Sequence, residues 1–393
     1  MRSRFELTLA RRLGWKPEEG KKVSPAVGVA VTGVALSMVV MLLAVAIVLG
    51  FQREVSAQAF EVDDAITLQG YGADGRSAAF DSSELLELIN LPEDVEIVER
   101  TSVEGILKTN DNFLGVSLQG DERVAADSLI VISRSMASQL GLSVGDKVPV
   151  YFIINERLRT RALRVGEIYS SGIAEHDEMV AYCHAELPRK LLNLPEGYVH
   201  TLGINGVAAD DVELMSQQIY SDLLAAYYTG SLNGAYSVQT IFETNPALFS
   251  WLDLLDTNVV VILVLMGAVA AFTIFSSLFI IILERVRTIG LLKSMGATNG
   301  QVRRIFMLMA ERLVLRGLLI GNVVGIALIV LQKLTHIIPL DSASYFVEYV
   351  PVEISVVGIV ALNVGALALS WLVLMLPALM IAKISPATTM RYE

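Results

Sequence analysis

The chain has 393 residues, 53% of them apolar and only 18% charged, with a mean hydropathy of +0.56 and a formal net charge of −11. Soluble domains carry about 25% charged residues, so this composition excludes an ordinary soluble globular protein. A disordered or collagen-like chain is excluded too, because charge is low and the 29 Gly and 11 Pro show no period.

In chain order, residues 1–25 come first. Phe5, Leu9 and Leu13 fall at i, i+4 and i+8 in Arg2–Leu13, which predicts an amphipathic helix in the membrane interface, on the cytoplasmic side. Four apolar stretches follow at 26–50, 258–283, 313–335 and 354–382. Each is long enough to cross a hydrocarbon core of about 30 Å as a helix. The first is too long for a signal-peptide core, and Gln52, Arg53 and Glu54 separate it from the cleavage-like Ala57-Gln58-Ala59, so it reads as a retained span. Arg316 lies near the start of the third stretch, where its stem can snorkel to the interface.

Orientation follows from Lys and Arg in the short flanks. Residues 1–25 hold seven and 284–312 hold six, the tail 383–393 adds Lys383 and Arg391, and the loop 336–353 has none. Both termini and 284–312 are therefore expected in the cytoplasm, with 51–257 and 336–353 on the periplasmic side. Residues 51–257 hold 13 basic and 32 acidic residues, a net −19 against +8 for the remainder. An acidic outer domain on a basic-flanked anchor speaks for a membrane and against nucleic acid.

Segment 51–257 reads as an α+β domain. Val148–Ile154 and Ala162–Tyr169 predict a hairpin joined by a turn at Asn155–Thr160. Ser133–Leu140 and Val212–Ala226 predict helices, and Gly141–Asp146 a turn feeding the hairpin. Phe51–Phe60 prolongs the first span without Gly or Pro, and Pro246–Thr257 leads into the second, so both predict helical stalks. The expected fold class is thus a four-helix membrane protein with a large α+β periplasmic domain between helices one and two.

Catalytic signatures are missing. The chain has no GxxxxGK[ST], GxSxG or HExxH. His176-Asp177-Glu178 with Cys183-His184 matches no standard metal spacing, and Cys183 has no activating base at a defined position. Asp253 and Asp256 read as a solvated stalk surface. The chain is therefore expected to be neither an enzyme nor a metal protein.

Segment 284–312 is more informative. Glu284–Met295 predicts a short helix with Val286, Ile289, Leu291 and Leu292 on more than one side, ended by Gly296. Thr298-Asn299-Gly300-Gln301 offers a capping box for the helix that follows. A polar-rimmed helix with apolar side chains on several faces calls for a protein groove.

The run Glu284-Arg285-Val286-Arg287-Thr288-Ile289-Gly290-Leu291-Leu292-Lys293-Ser294-Met295-Gly296-Ala297 resembles the coupling-helix signature of FtsX-like, type VII (mechanotransmission) ABC transporter permeases. Tyr345–Glu353, the terminal Pro386…Met390-Arg391-Tyr392-Glu393, Phe5-Glu6-Leu7, Leu142–Val148 and Ser171–Asp177 are similar to the lipoprotein-releasing subgroup. The resemblance implies a permease paired with a second permease chain as homo- or heterodimer, and a separate cytoplasmic ATPase that binds ATP and Mg, so that this chain holds no cofactor. It implies that Glu284, Arg285, Arg287, Ile289, Gly290, Lys293 and Gly296 couple to the ATPase. It also implies that Met41, Leu42, Val45, Leu49, Val260, Leu263 and Met266 line a cavity for a lipoprotein substrate, which passes to a periplasmic lipoprotein chaperone. The 155–160 turn is short for a chaperone-seizing hook. An export or cell-division permease that activates an envelope partner is the alternative within the same family.

Overall fold

The computed structural model describes residues 25–380 except 73, 74, 76, 93, 110, 111, 155, 156, 233 and 341–346, with only the backbone at 25, 26, 174, 175 and 376–380. The expected amphipathic helix Arg2–Leu13, the tail 383–393 and Tyr345-Phe346 lie outside these residues. The chain divides into two compact units: residues through Arg53, Trp251–Pro339 and Tyr349 onward form one, Glu54–Ser250 and Leu340–Glu348 the other.

The chain forms four long helices, Pro25–Val62, Pro246–Glu284, Asn299–Thr335 and Val356–Met380, which lie in the first unit except for residues 54–62 and 246–250 of the first two. All four are long and apolar enough to span a membrane. The first two have 38 and 39 residues, about 57 Å each at 1.5 Å per residue, well beyond the hydrocarbon core. Each absorbs the expected stalk without a break. The first helix is more than half covered by the rest of the chain, whereas the second and fourth are largely uncovered.

The first and third helices meet along Gly317, Gly321 and Gly325, four residues apart. A Cβ at these positions would stand 2.8 Å from Val34 Cβ, 2.7 Å from Met38 Cβ and 2.9 Å from Leu42 Cδ1. With no side chains in the way, backbones approach closely and gain van der Waals contact, the main source of association in lipid. After the third helix the chain turns back at His336, whose ring stacks on Tyr349 at 3.9 Å. It then crosses the first helix at Gly50, where a Cβ would lie 2.5 Å from Pro351 O. Glu353 ties these parts together, 2.6 Å from Arg53 and 3.8 Å from Lys333.

The second unit is the inserted α+β domain. Its strands in chain order are β1 (Ile66–Tyr71), β2 (Phe80–Asp81), β3 (Glu96–Arg100), β4 (Ser102–Lys108), β5 (Phe113–Asp121), β6 (Leu129–Ser133), β7 (Lys147–Ile154), β8 (Arg157–Tyr169), β9 (Val180–His184), β10 (Tyr198–Val199), β11 (Thr201–Asn205) and β12 (Ala235–Thr240). An antiparallel sheet runs in the order β12-β1-β11-β3, and a closed barrel in the order β4-β5-β9-β6-β8-β7. Helix Val212–Thr229 lays Ile219, Leu223 and Ala226 on the sheet residues Ile66, Leu68, Leu202 and Ile204. The barrel is filled by Leu107, Leu118, Ile132, Val150, Phe152 and Val165. Closure leaves that sheet without an edge to pair with other chains.

Local signals produce local structure here. Ser133 caps helix Arg134–Leu140 by accepting from Met136 N at 3.1 Å, and Gly141 ends it with φ +65°. The hairpin corrects one expectation. Pairing runs from Lys147↔Arg164 through Tyr151↔Thr160 to Ile154↔Arg157, so 157–160 belong to β8 rather than to a turn. The polar side chains there read as a turn, but their backbone continues the ladder. Only 155 and 156, outside the described residues, connect the strands.

Candidate coupling loop and membrane cavity

The second long helix stops at Glu284, and a separate short helix runs Val286–Ser294. Its end is built by Gly296, at φ +92°, with Gly296 N bonded to Lys293 O and Ala297 N to Leu292 O, both at 3.0 Å. These bonds satisfy carbonyls that a helix end otherwise leaves open. The next helix begins with the expected box: Thr298 Oγ1 accepts from Gln301 N at 3.3 Å, and Gln301 Oε1 accepts from Thr298 N at 2.9 Å. A break and a cap on either side hold the short helix at a fixed angle between two spans.

Its two faces differ. Ile289 is fully buried beside Ile281, Ile282, Val302 and Phe306, and Gly290 is buried next to it. Val286, Leu292 and Lys293 are half-buried, as is Arg285. Glu284, Arg287 and Gly296 are exposed, and so are the apolar Leu291 and Met295, at 61% and 77%. Ile289 and Gly290 thus anchor the loop to the bundle. The outward surface includes Arg287, Leu291 and Met295, four residues apart along the chain, and Ser294, with Glu284 and Gly296 at its ends. Met295 is absent from the set that the sequence singles out, although its i+4 spacing from Leu291 marks the same face.

The seven cavity candidates separate. Met41 and Leu263 line an apolar cavity of about 190 Å³ among the four long helices, together with Val314, Leu318 and Gly365. Leu42 packs on Gly325, and Val45 faces Gly358 across a nearly filled cleft. Leu49 and Met266 are half-buried, and Val260 is exposed on the second helix. The first helix is surrounded, so residues one step apart on it meet different neighbours. Gly267 and Gly365, glycines inside apolar helices, are the unused signal for the cavity.

Candidates for chemistry lie apart. His176 is buried, with Nε2 2.8 Å from the Tyr182 hydroxyl and Nδ1 3.6 Å from Asp63. His184 instead meets Asp127 at 3.0 Å. The Cys183 thiol sits inside the barrel, where burial and the nearby Asp127 and Asp121 push its pKa up to about 12. Among the described residues no three His, Cys, Asp or Glu side chains converge to hold a metal. Asp253 and Asp256 are exposed on the second long helix.

The chain is similar to the following known proteins. Residues 260–386 match the family FtsX-like permease C-terminal. The chain is 23% identical to the lipoprotein-releasing system transmembrane protein LolC of Xylella fastidiosa, over 92% of this chain and 93% of that one. It is 22% identical to the LolE protein of the same system in Haemophilus influenzae, over 95% and 97%. The crystal structure of the extracellular domain of the noncanonic ABC-type transporter YknZ from Gram-positive bacteria covers 44% of this chain and 99% of its own, at 15% identity and a TM-score of 0.29.

Proposed function

We propose that this FtsX-like ABC transporter permease is the membrane subunit of a lipoprotein-releasing system. In this reading it lies in the inner membrane with both termini in the cytoplasm and the acidic α+β domain in the periplasm. Two permease chains pair through the largely uncovered second and fourth helices. Cytoplasmic ATPase subunits, which bind ATP and Mg themselves, dock on the short helix Val286–Ser294. The observation that carries the reading is that helix: it is fixed from behind by Ile289 and presents Arg287, Leu291 and Met295 outward. Similarity to lipoprotein-releasing proteins along nearly the whole chain supports the choice of substrate.

The energetics require a driven step. Each methylene of an acyl chain adds about 0.8 kcal/mol to membrane anchoring, so a multiply acylated lipoprotein does not desorb by itself. The apolar cavity of about 190 Å³ within one chain holds only a few methylenes, so the bulk of the acyl chains lies against the uncovered faces between two permeases. Motion of the stalks then moves the outer domains, and the lipoprotein passes to a chaperone. The test is reconstitution with the ATPase in nanodiscs carrying a labelled lipoprotein. Photocrosslinkers at Met41 or Val260 should capture it before ATP, and ATP should release it. Retention during active hydrolysis would reject lipoprotein release in favour of an export or division role.

A further inference from the structure

The inserted domain contains a joint between its sheet and its barrel. Strand β3 enters the barrel through Thr101 alone, whose carbonyl accepts from Gly120 N at 2.9 Å. The return crossing, from helix Glu186–Leu192 to β10 and β11, runs beside it: His200 N donates to Arg100 O at 3.0 Å, and Thr201 pairs with Arg100. Two crossings side by side act as a hinge line. They fix where the barrel meets the sheet and leave its tilt to other contacts.

Arg189 of helix Glu186–Leu192 lies 3.7 Å from Glu99 of β3, and the membrane-helix stalks add further contacts. Gln58, on the last turns of the first long helix, donates from Nε2 to Ser171 O at 2.8 Å. Asp63, just past that helix, has one oxygen 3.6 Å from His176 Nδ1. Its other oxygen accepts from Asn245 Nδ2 at 2.9 Å, one residue before the second long helix begins. One carboxylate therefore joins both stalks to the segment between β8 and β9. That segment is shaped for the contact and braced to the barrel. Gly172 has φ +80°, and a Cβ there would overlap the Gln58 carboxamide. Ser171 N and Oγ donate to Asp177 Oδ1 at 2.9 and 2.7 Å, and Ser133 Oγ donates to Asp177 O. His176 in turn reaches Tyr182 of β9 at 2.8 Å.

We propose that Ser171, Gly172 and His176 form a socket in which Gln58 and Asp63, as positioning residues, let the two stalks set the tilt of the barrel on its hinge. The proposal rests on the mechanotransmission reading for what drives the stalks, and adds where their movement enters the barrel.

The test uses the full permease–ATPase complex. Spin labels at Glu104→Cys on the barrel and Gln217→Cys on helix Val212–Thr229 report tilt, and Gln217→Cys on both permease copies reports movement of the domains on ATP. The parent should give a narrow Glu104–Gln217 distribution. Gln58→Leu, which keeps bulk but not the donor, and Gly172→Ala should each broaden it and abolish lipoprotein release while hydrolysis continues. Unchanged width in a folded Gln58→Leu chain overturns the socket and leaves the permease reading intact. Domains that do not move on ATP in the parent overturn the mechanotransmission reading, and the socket's role with it.

Discussion

The carboxamides of Asn322 and Asn363 donate to each other, at 2.8 and 2.9 Å, across the third and fourth membrane helices. Each gives its second N–H to its own helix, to Leu318 O at 2.7 Å and Ile359 O at 2.8 Å. Replacing either by Leu strands half of the partner's amide in an apolar setting. We expect each single substitution to cost about 1–2 kcal/mol, and the pair to couple by roughly 0.6–1.7 kcal/mol in a double-mutant cycle. Unfolding in mixed micelles measures both. Strict additivity would mean that the two amides do not meet in the folded protein.

Gly321 makes the tightest approach between the first and third helices and leaves no room for a methyl group: a Cβ would meet Met38 Cβ at 2.7 Å and the Ala35 carbonyl at 2.8 Å. The Ala35 oxygen is backbone and cannot rotate away, so the helices must part. Gly321→Ala should destabilise the chain by about 1–3 kcal/mol. Gly300→Ala, in the first turn of the same helix with open space around it, should be neutral or stabilise by about 0.4–1 kcal/mol. Thermal unfolding of the two variants side by side separates packing from helix propensity.

The contrast between these positions explains what the sequence could show. Span lengths, the Gly296 stop and the Thr298 cap depend on neighbours in the chain and are legible as such. The face of a span that packs is not, because a helix apolar all round has no periodicity to read; Gly317, Gly321 and Gly325 are the one clue. Met41 and Leu42 sit side by side in sequence but face the cavity and Gly325 respectively. Barrel closure depends on the parallel pairs β5·β9 and β6·β8 between distant segments, which no local pattern announces. His176 stands in the sequence only within a cluster that fits no metal spacing, and its contact with Asp63 is not legible there because the two lie far apart in the chain.

Asp63 makes the domain sensitive to acid. Burial alone would raise its pKa, but hydrogen bonds from His176 and Asn245, with the charges of His176 and Arg100, outweigh it and hold the carboxyl below the usual range. A folded pKa below the unfolded one contributes stability that is complete above the unfolded value and is lost as pH falls through the folded one. Stability should therefore decline on acidification below about pH 4, and Asp63→Asn should show a shallower decline from a lower starting point. Melting temperature against pH for the two chains checks this. Parallel curves would mean that Asp63 titrates alike in both states.

Ile289 and Leu291 are two residues apart on the short helix and should fail in opposite ways. Ile289 is fully buried against the bundle, whereas Leu291 is 61% exposed. Ile289→Asp puts a charge in the apolar cluster and should lower stability by several kcal/mol; loss of ATPase binding would follow from loss of fold. Leu291→Asp leaves the fold within about 0.5 kcal/mol, as surface changes do, but puts a charge at the centre of the proposed docking face. Truncating or charging a central apolar anchor costs about 2 kcal/mol or more, a factor of roughly 30 in affinity. Titration of the ATPase onto micelle-embedded permease, paired with unfolding curves, reads both quantities. If Leu291→Asp binds the ATPase as the parent does, the outward face of Val286–Ser294 is not where the ATPase docks.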